Sequence, residues 1–188
     1  MREITTTVYN FTELSKEAQS IAIASCRDGE EEWTNQKYLI EDITFALSII
    51  GFNNVEISYS GFYSPGDGLS FISKYSRISY ALRAIKREFP TWTELHDATS
   101  RLQKLNIKSQ EITRITHRYY HENTITCDND NFLEVARELC KLFYKYLQDA
   151  YEYDMGEENI REILKINDYE FTKEGEIKWA TTEKRLVT

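Results

Sequence analysis

Apolar and polar positions along the chain recur with two periods, and each stretch predicts an element. Ile4 to Tyr9 is a Thr-rich β-type segment. Leu14-Ser15 then supplies an N-cap for a helix carrying Ala18, Ile21 and Ala22, which Asp28-Gly29 ends. From Trp33, the apolar residues Leu39, Ile43, Leu47 and Ile50 fall at helical steps until Gly51 stops a second helix. Val55, Ile57 and Tyr59 alternate with Glu56, Ser58 and Ser60, and Leu69, Phe71 and Tyr75 alternate with Ser70 and Lys74. This predicts a hairpin with one wetter face. Tyr80 to Phe89 reads as a basic helix halted by Pro90. Thr91-Trp92-Thr93-Glu94 has the form of a capping box ahead of Leu95, Ala98, Leu102 and Leu105.

The pattern reverts to β from Glu111 to Asp128, with Ile112, Ile115, Ile125 and Cys127 on two arms and Tyr120-His121-Glu122-Asn123 as the turn. Phe132, Ala136, Leu139, Phe143, Leu147 and Ala150 then keep a 3.6 period through the longest helix, which should be the main core helix. A shorter helix around Ile160 to Leu164 precedes Tyr169-Glu170-Phe171 and Ile177-Lys178-Trp179, a closing hairpin with Gly175 at the left-handed position. Strands joined by hairpins rather than by regular crossover helices predict an α+β fold, an antiparallel sheet packed against several helices. The expected organisation is one domain over 1–179 with a flexible tail over 180–188.

Composition narrows the class. With 188 residues, 41% hydrophobic, and only 7 Gly and 2 Pro, the chain can bury a core without a staple. Cys26, Cys127 and Cys140 make an odd count without CxxC spacing. They read as core thiols rather than a disulfide framework or zinc knuckle, and no cofactor or metal is expected. No apolar run is long enough to cross a bilayer, and Met1 to Thr7 lacks the apolar stretch of a secretory signal. The expectation is therefore a cytoplasmic protein with no membrane partner.

The net charge of −8 is unevenly spread. Asp128 to Glu176 carries 14 acids against 6 bases, whereas Lys74 to Arg118 carries 10 bases against 4 acids. Asp28, Glu30, Glu31 and Glu32 add a dense acidic group, a candidate surface for a protein with a basic groove. The basic segment interleaves Arg77, Arg83, Lys86, Arg87, Arg101, Lys104 and Lys108 with Tyr75, Tyr80 and Trp92. Those residue types contact phosphates and stack on bases, so nucleotide, RNA or DNA binding is an alternative.

Candidate chemistry concentrates in two places. Gly61 to Phe71 holds three of the seven glycines; Ser64-Pro65-Gly66-Asp67 fits a type II turn, and Asp67-Gly68 could make a second. Ser64, Gly66, Asp67 and Gly68 are candidate binding residues, but no Lys-Ser/Thr follows the glycines as a phosphate loop requires. The other place is His117-Arg118-Tyr119-Tyr120-His121, of which Arg118, Tyr120 and His121 are candidates. On an extended strand its two histidines stand about 13 Å apart, too far to share a metal unless the chain bends. A small hydrolase with His121 and Asp67 as acid and base would need the two hairpins to be adjacent. No GxSxG elbow or complete triad is present, so no catalytic residue is assigned.

Tyr9 to Ser15, Ser60 to Phe71, Arg118 to His121 and Asn167 to Phe171 together resemble a family of phage and prophage accessory proteins, sometimes labelled the antitoxin of a toxin–antitoxin stability system. The resemblance covers most of the chain and departs at Pro65, where relatives are expected to carry a polar residue such as Gln. It implies a bacterial host cell and stoichiometric binding that inhibits a host defence protein, such as a CRISPR-type nuclease, or a toxin.

Overall fold

The computed structural model describes residues 7–29, 33, 35–167 and 169–178. The chain divides into two compact units, Met1–Trp33 with Ala150–Thr188, and Thr34–Asp149. The tail over 180–188 and the first half of the expected Ile4–Tyr9 strand lie outside the described residues; of the described half, Tyr9 makes a β-bridge to Phe171 and Thr7 and Val8 are not in a strand.

In the first unit, Ser15 Oγ accepts the Ala18 N–H at 3.2 Å and starts α1 (Lys16–Gly29). Phe11, Leu14, Ala18, Ala22 and Ile23 pack with Ile160 and Leu164, and with Phe171. The last three come from the helix Glu157–Ile166 and the short hairpin Glu170–Phe171 with Ile177–Lys178. Gly175 has the expected positive φ, and a Cβ there would stand 2.1 Å from the Ala18 carbonyl oxygen, so only glycine lets this hairpin approach α1 so closely. Trp33 Nε1 donates to Asp154 Oδ2 at 2.7 Å.

The second unit is an antiparallel four-stranded sheet with helices, in agreement with the expected α+β class. Its elements in chain order are α2 (Gln36–Ile50), β1 (Phe52–Ser60), β2 (Gly68–Ser76), α3 (Ala81–Glu88), α4 (Thr93–Lys104), β3 (Ser109–Arg114), β4 (Ile125–Thr126) and α5 (Asp130–Asp154), the last grouped here up to Asp149. The strands lie in the order β1-β2-β3-β4. A bulge between Asn53 and Glu56 sets two residues of β1 against Ser73. That extra residue restores parity, so Phe52 faces Tyr75 while Ile57 still faces Phe71. Phe52, Phe71, Tyr75 and Phe132 form one aromatic cluster with ring centroids 5.0 to 6.0 Å apart, which ties β1 and β2 to α5.

Three local expectations are corrected. The capping box at Thr91–Glu94 does not form, because α4 starts at Thr93 with Trp92 in the cap position. The Trp92 ring lies 4.8 Å from Tyr146 and 5.7 Å from Phe143, so packing rather than a side-chain cap sets the start of this helix. β2 is buried on both faces from Gly68 to Phe71 and has a wet face only further along, at Lys74 and Ser76. Of the three thiols only Cys140 is fully buried; Cys26 and Cys127 are half-buried, and no disulfide joins them.

Candidate functional site

The Gly-rich connection builds its own scaffold. The Asp67 N–H donates to the Ser64 carbonyl at 3.0 Å and Gly66 has φ +94, which completes the expected type II turn. Asp67 Oδ2 then accepts the N–H groups of Tyr63 at 3.0 Å and Ser64 at 2.7 Å, so the carboxylate holds the far side of its own loop. The second turn expected at Asp67-Gly68 is absent, since Gly68 is already the first residue of β2.

The stretch from His117 to His121 is bent, not extended. The Tyr119 N–H donates to His117 Nδ1 and the Asn123 N–H to His121 Nδ1, both at 3.2 Å; the second bond caps the 3-10 turn Glu122–Thr124. These short loops from side chain to backbone fold the segment on itself. The two imidazole rings therefore meet edge to face, with centroids 5.0 Å apart, rather than standing at strand spacing. Two imidazoles alone do not make a metal centre, and among the described residues no group of three His, Cys, Asp or Glu side chains could hold one.

The two segments singled out in the sequence come together. A Cβ on Gly68 would stand 2.6 Å from His121 Cβ, and one on Gly66 would stand 3.1 Å from the Tyr119 ring. The Tyr120 N–H donates to Ser60 Oγ at 3.4 Å. Tyr144 of α5 donates its hydroxyl to the Gly61 carbonyl at 3.2 Å, and its ring is 5.7 Å from Phe62. Burial, with the neighbouring Asp67 carboxylate adding to it, raises the Tyr144 phenol above its ordinary value, so it remains a donor here. Asp67 and His121 are thus on adjacent hairpins, but no hydrogen bond joins them among the described residues, and the carboxylate is engaged by backbone amides.

What this tip presents is aromatic and basic. Tyr63 is 72% exposed and Tyr120 38%, and Arg118 stands exposed with its guanidinium 5.3 Å from the Tyr119 ring centre. Glu122 is drawn to Lys141 at 3.5 Å, and Asp67 to its own loop, so the nearby carboxylates are occupied. The acidic group contributes nothing that can be placed: Glu30, Glu31 and Glu32 lie outside the described residues, and Asp28 is described only as part of α1.

Arg114, Tyr63, Tyr119 and Tyr144 also belong to the site, and pattern reading did not single them out. Arg114 donates to Ser58 Oγ at 3.1 Å and to the Ser70 carbonyl at 3.3 Å, and lies 5.1 Å from the centre of the Tyr120 ring. A signal for it exists. Arg114 shares a strand face with the buried Ile112 by alternation, and a cation at a core-facing position needs a local partner.

A family described as a domain of unknown function, DUF8835, matches residues 33–157, which include all of the sheet and the tip. Among curated proteins and among solved structures, nothing matches this chain.

Proposed function

We propose a function from the premise that the chain belongs to the DUF8835 family: it acts stoichiometrically, by docking the tip formed from the 61–68 loop and the 117–124 segment on a partner protein and occluding it. The observation that carries this reading is the close packing of Gly66 and Gly68 on Tyr119 and His121, which holds exposed tyrosines and an arginine in fixed positions. Tyr side chains lose little conformational freedom on binding, and Tyr and Arg are the residue types enriched among those that dominate the energetics of protein interfaces. The charge of the tip favours an acidic patch on the partner. The resemblance to phage accessory proteins supports a host defence protein, such as a nuclease, or a toxin, met in the cytoplasm of a bacterial host. The C-terminal run of acids gives such a partner's basic groove a second counterpart, and this part of the binding weakens with salt.

The test is site-specific photo-crosslinking in a bacterial host cell, with a benzophenone side chain at position 63 or 120 and, as a control, at the exposed Tyr38. A discrete adduct formed from 63 and 120 but not from 38, and lost in Arg118→Ala, supports the reading. Equal labelling from all three positions, or none from the tip, defeats it.

A further inference from the structure

At the far end of β2 from the tip, a second surface is built from different chemistry. An open groove of about 640 Å³ is lined by Ser79, Tyr80, Leu82, Arg83 and Lys86. We propose that this groove binds single-stranded nucleic acid, with Arg83 and Lys86 on backbone phosphates and the Tyr80 ring stacked on a base.

The argument starts from which cations are occupied. Of the bases between Lys74 and Arg118, Lys74 pairs with Glu111 at 3.9 Å, Arg87 with Glu88 at 2.6 Å, and Arg101 with Glu134 and Glu138. Arg83 and Lys86 have no carboxylate partner among the described residues, and the same holds for Arg77, Lys104 and Lys108. Tyr80, Arg83 and Lys86 follow one another at three-residue steps, so they project from one side of the chain as it enters and runs along α3. Their backbone is fixed: the Gln103 amide donates to the carbonyls of Ile78 and Ser79, both at 3.2 Å, and the Arg77 N–H donates to the Lys108 carbonyl at 2.9 Å.

Charge alone would suit any polyanion; the aromatic ring decides between them. Tyr80 is 58% exposed beside the cations, where a single strand stacks a base on the ring and a polyanion without bases gains only the charge. Duplex binding uses a helix or ribbon seated in a groove of the DNA, whereas unpaired bases need only an open cationic channel with a ring at its side. The chain's net charge of −8 opposes long-range attraction, so the interaction should be local and strongly dependent on salt.

The experiment titrates the full chain into a fluorescently labelled oligo-dT of about 15 nucleotides, a length in the range of single-strand sites, and follows anisotropy between about 50 and 200 mM salt. Arg83→Ala/Lys86→Ala should flatten the slope of log affinity against log salt by about 1.4, at roughly 0.7 per phosphate contact on a single strand. Tyr80→Ala should weaken binding by about fivefold or more without changing the slope, and Tyr80→Phe should bind as the parent does. The proposal is overturned if the parent does not bind within the usual non-specific range of about 10⁻⁴ to 10⁻⁶ M, or if polyglutamate of equal charge binds as tightly. An unchanged slope in a double variant that keeps the parent's circular dichroism overturns it too.

Discussion

Replacing Gly68 with Ala probes the docking of the tip directly. Gly68 is in extended backbone that any residue adopts, so the new methyl group changes only the contact. Its carbon would stand 2.6 Å from His121 Cβ, 2.7 Å from His121 Cα and 3.2 Å from the Tyr120 carbonyl oxygen, where carbon atoms pack best at about 3.5 to 4.0 Å. The conflicting atoms belong to the backbone and its first carbon, which no rotamer change removes, so the 117–121 segment must move by about 1 Å. Overpacking of this kind costs about 1 to 3 kcal/mol. The smaller entropy of an alanine in the unfolded chain returns about 0.4 to 1 kcal/mol. The net loss should be about 1.3 kcal/mol at the middle of these ranges and at most about 2.6 kcal/mol, so Tm should fall by about 3 to 5 °C at the middle value for a chain of this length. Urea unfolding measures the loss and hydrogen exchange locates it: the amides of Thr124 and Ile115, bonded to His121 and Thr124 carbonyls at 2.9 Å, should lose protection. An unchanged Tm together with unchanged exchange at those two amides would refute the docking of the loop on this segment.

Two further perturbations test single contacts. Asp67→Ala removes the acceptor of the Tyr63 and Ser64 N–H groups; their exchange should accelerate at least tenfold while Tm falls by less than in Gly68→Ala, because the loop is solvent-accessible and opens locally. A Tm loss larger than that of Gly68→Ala would show that the carboxylate does more than hold its own loop. Burial pushes the Cys140 thiol up to about 12 from its ordinary value of 9.0, so in the native state at pH 8 a thiol reagent should modify Cys26 first and Cys127 more slowly, and reach Cys140 only on unfolding. The unfolded chain loses this proton from about pH 9 while the native one keeps it to about 12, so the stability Cys140 contributes is intact below pH 9 and declines between those values. Cys140→Ala should lessen that alkaline decline, and an identical pH profile would contradict the burial.

The parts of the fold that were legible in the sequence are those where one period dominates. α2 with its Gly51 stop, α5 and the paired strands β1 and β2 follow from spacing alone, because burial of one face decides them. The capping box failed where a motif competed with packing: Thr91 and Glu94 have the right spacing, but the packing of the half-buried Trp92 against Phe89, Phe143 and Tyr146 puts the helix start one residue on, at Thr93. At the site, the type II turn was legible because Pro and Gly fix dihedral angles locally. The meeting of His117 and His121 was not. It depends on imidazole nitrogens accepting backbone N–H bonds, and this leaves no trace in a pattern of apolar and polar positions. The acidic group at Glu30 to Glu32 lies outside the described residues.

The tip lies at the start of β2, and the basic groove lies on the segment that follows the end of the same strand. Gly68, against His121, opens β2, and Ser76, next to Arg77, closes it; the eight steps between them span about 26 Å. β3 runs back beside β2 for five steps, about 17 Å, from Ser109, which pairs with Ser76, to Arg114, whose guanidinium lies 5.1 Å from the centre of the Tyr120 ring. A stiff sheet strand keeps the two surfaces at a fixed separation, far beyond the roughly 7 to 10 Å over which substitutions couple. A partner on the tip and a strand of nucleic acid in the groove therefore need not compete. The consequence is testable with the same reagents: Arg83→Ala/Lys86→Ala should leave photo-crosslinking from position 120 unchanged, and Arg118→Ala should leave the salt slope of oligonucleotide binding unchanged. If either variant abolishes both activities while the fold persists, the two surfaces are one site and the separation along β2 has been misread.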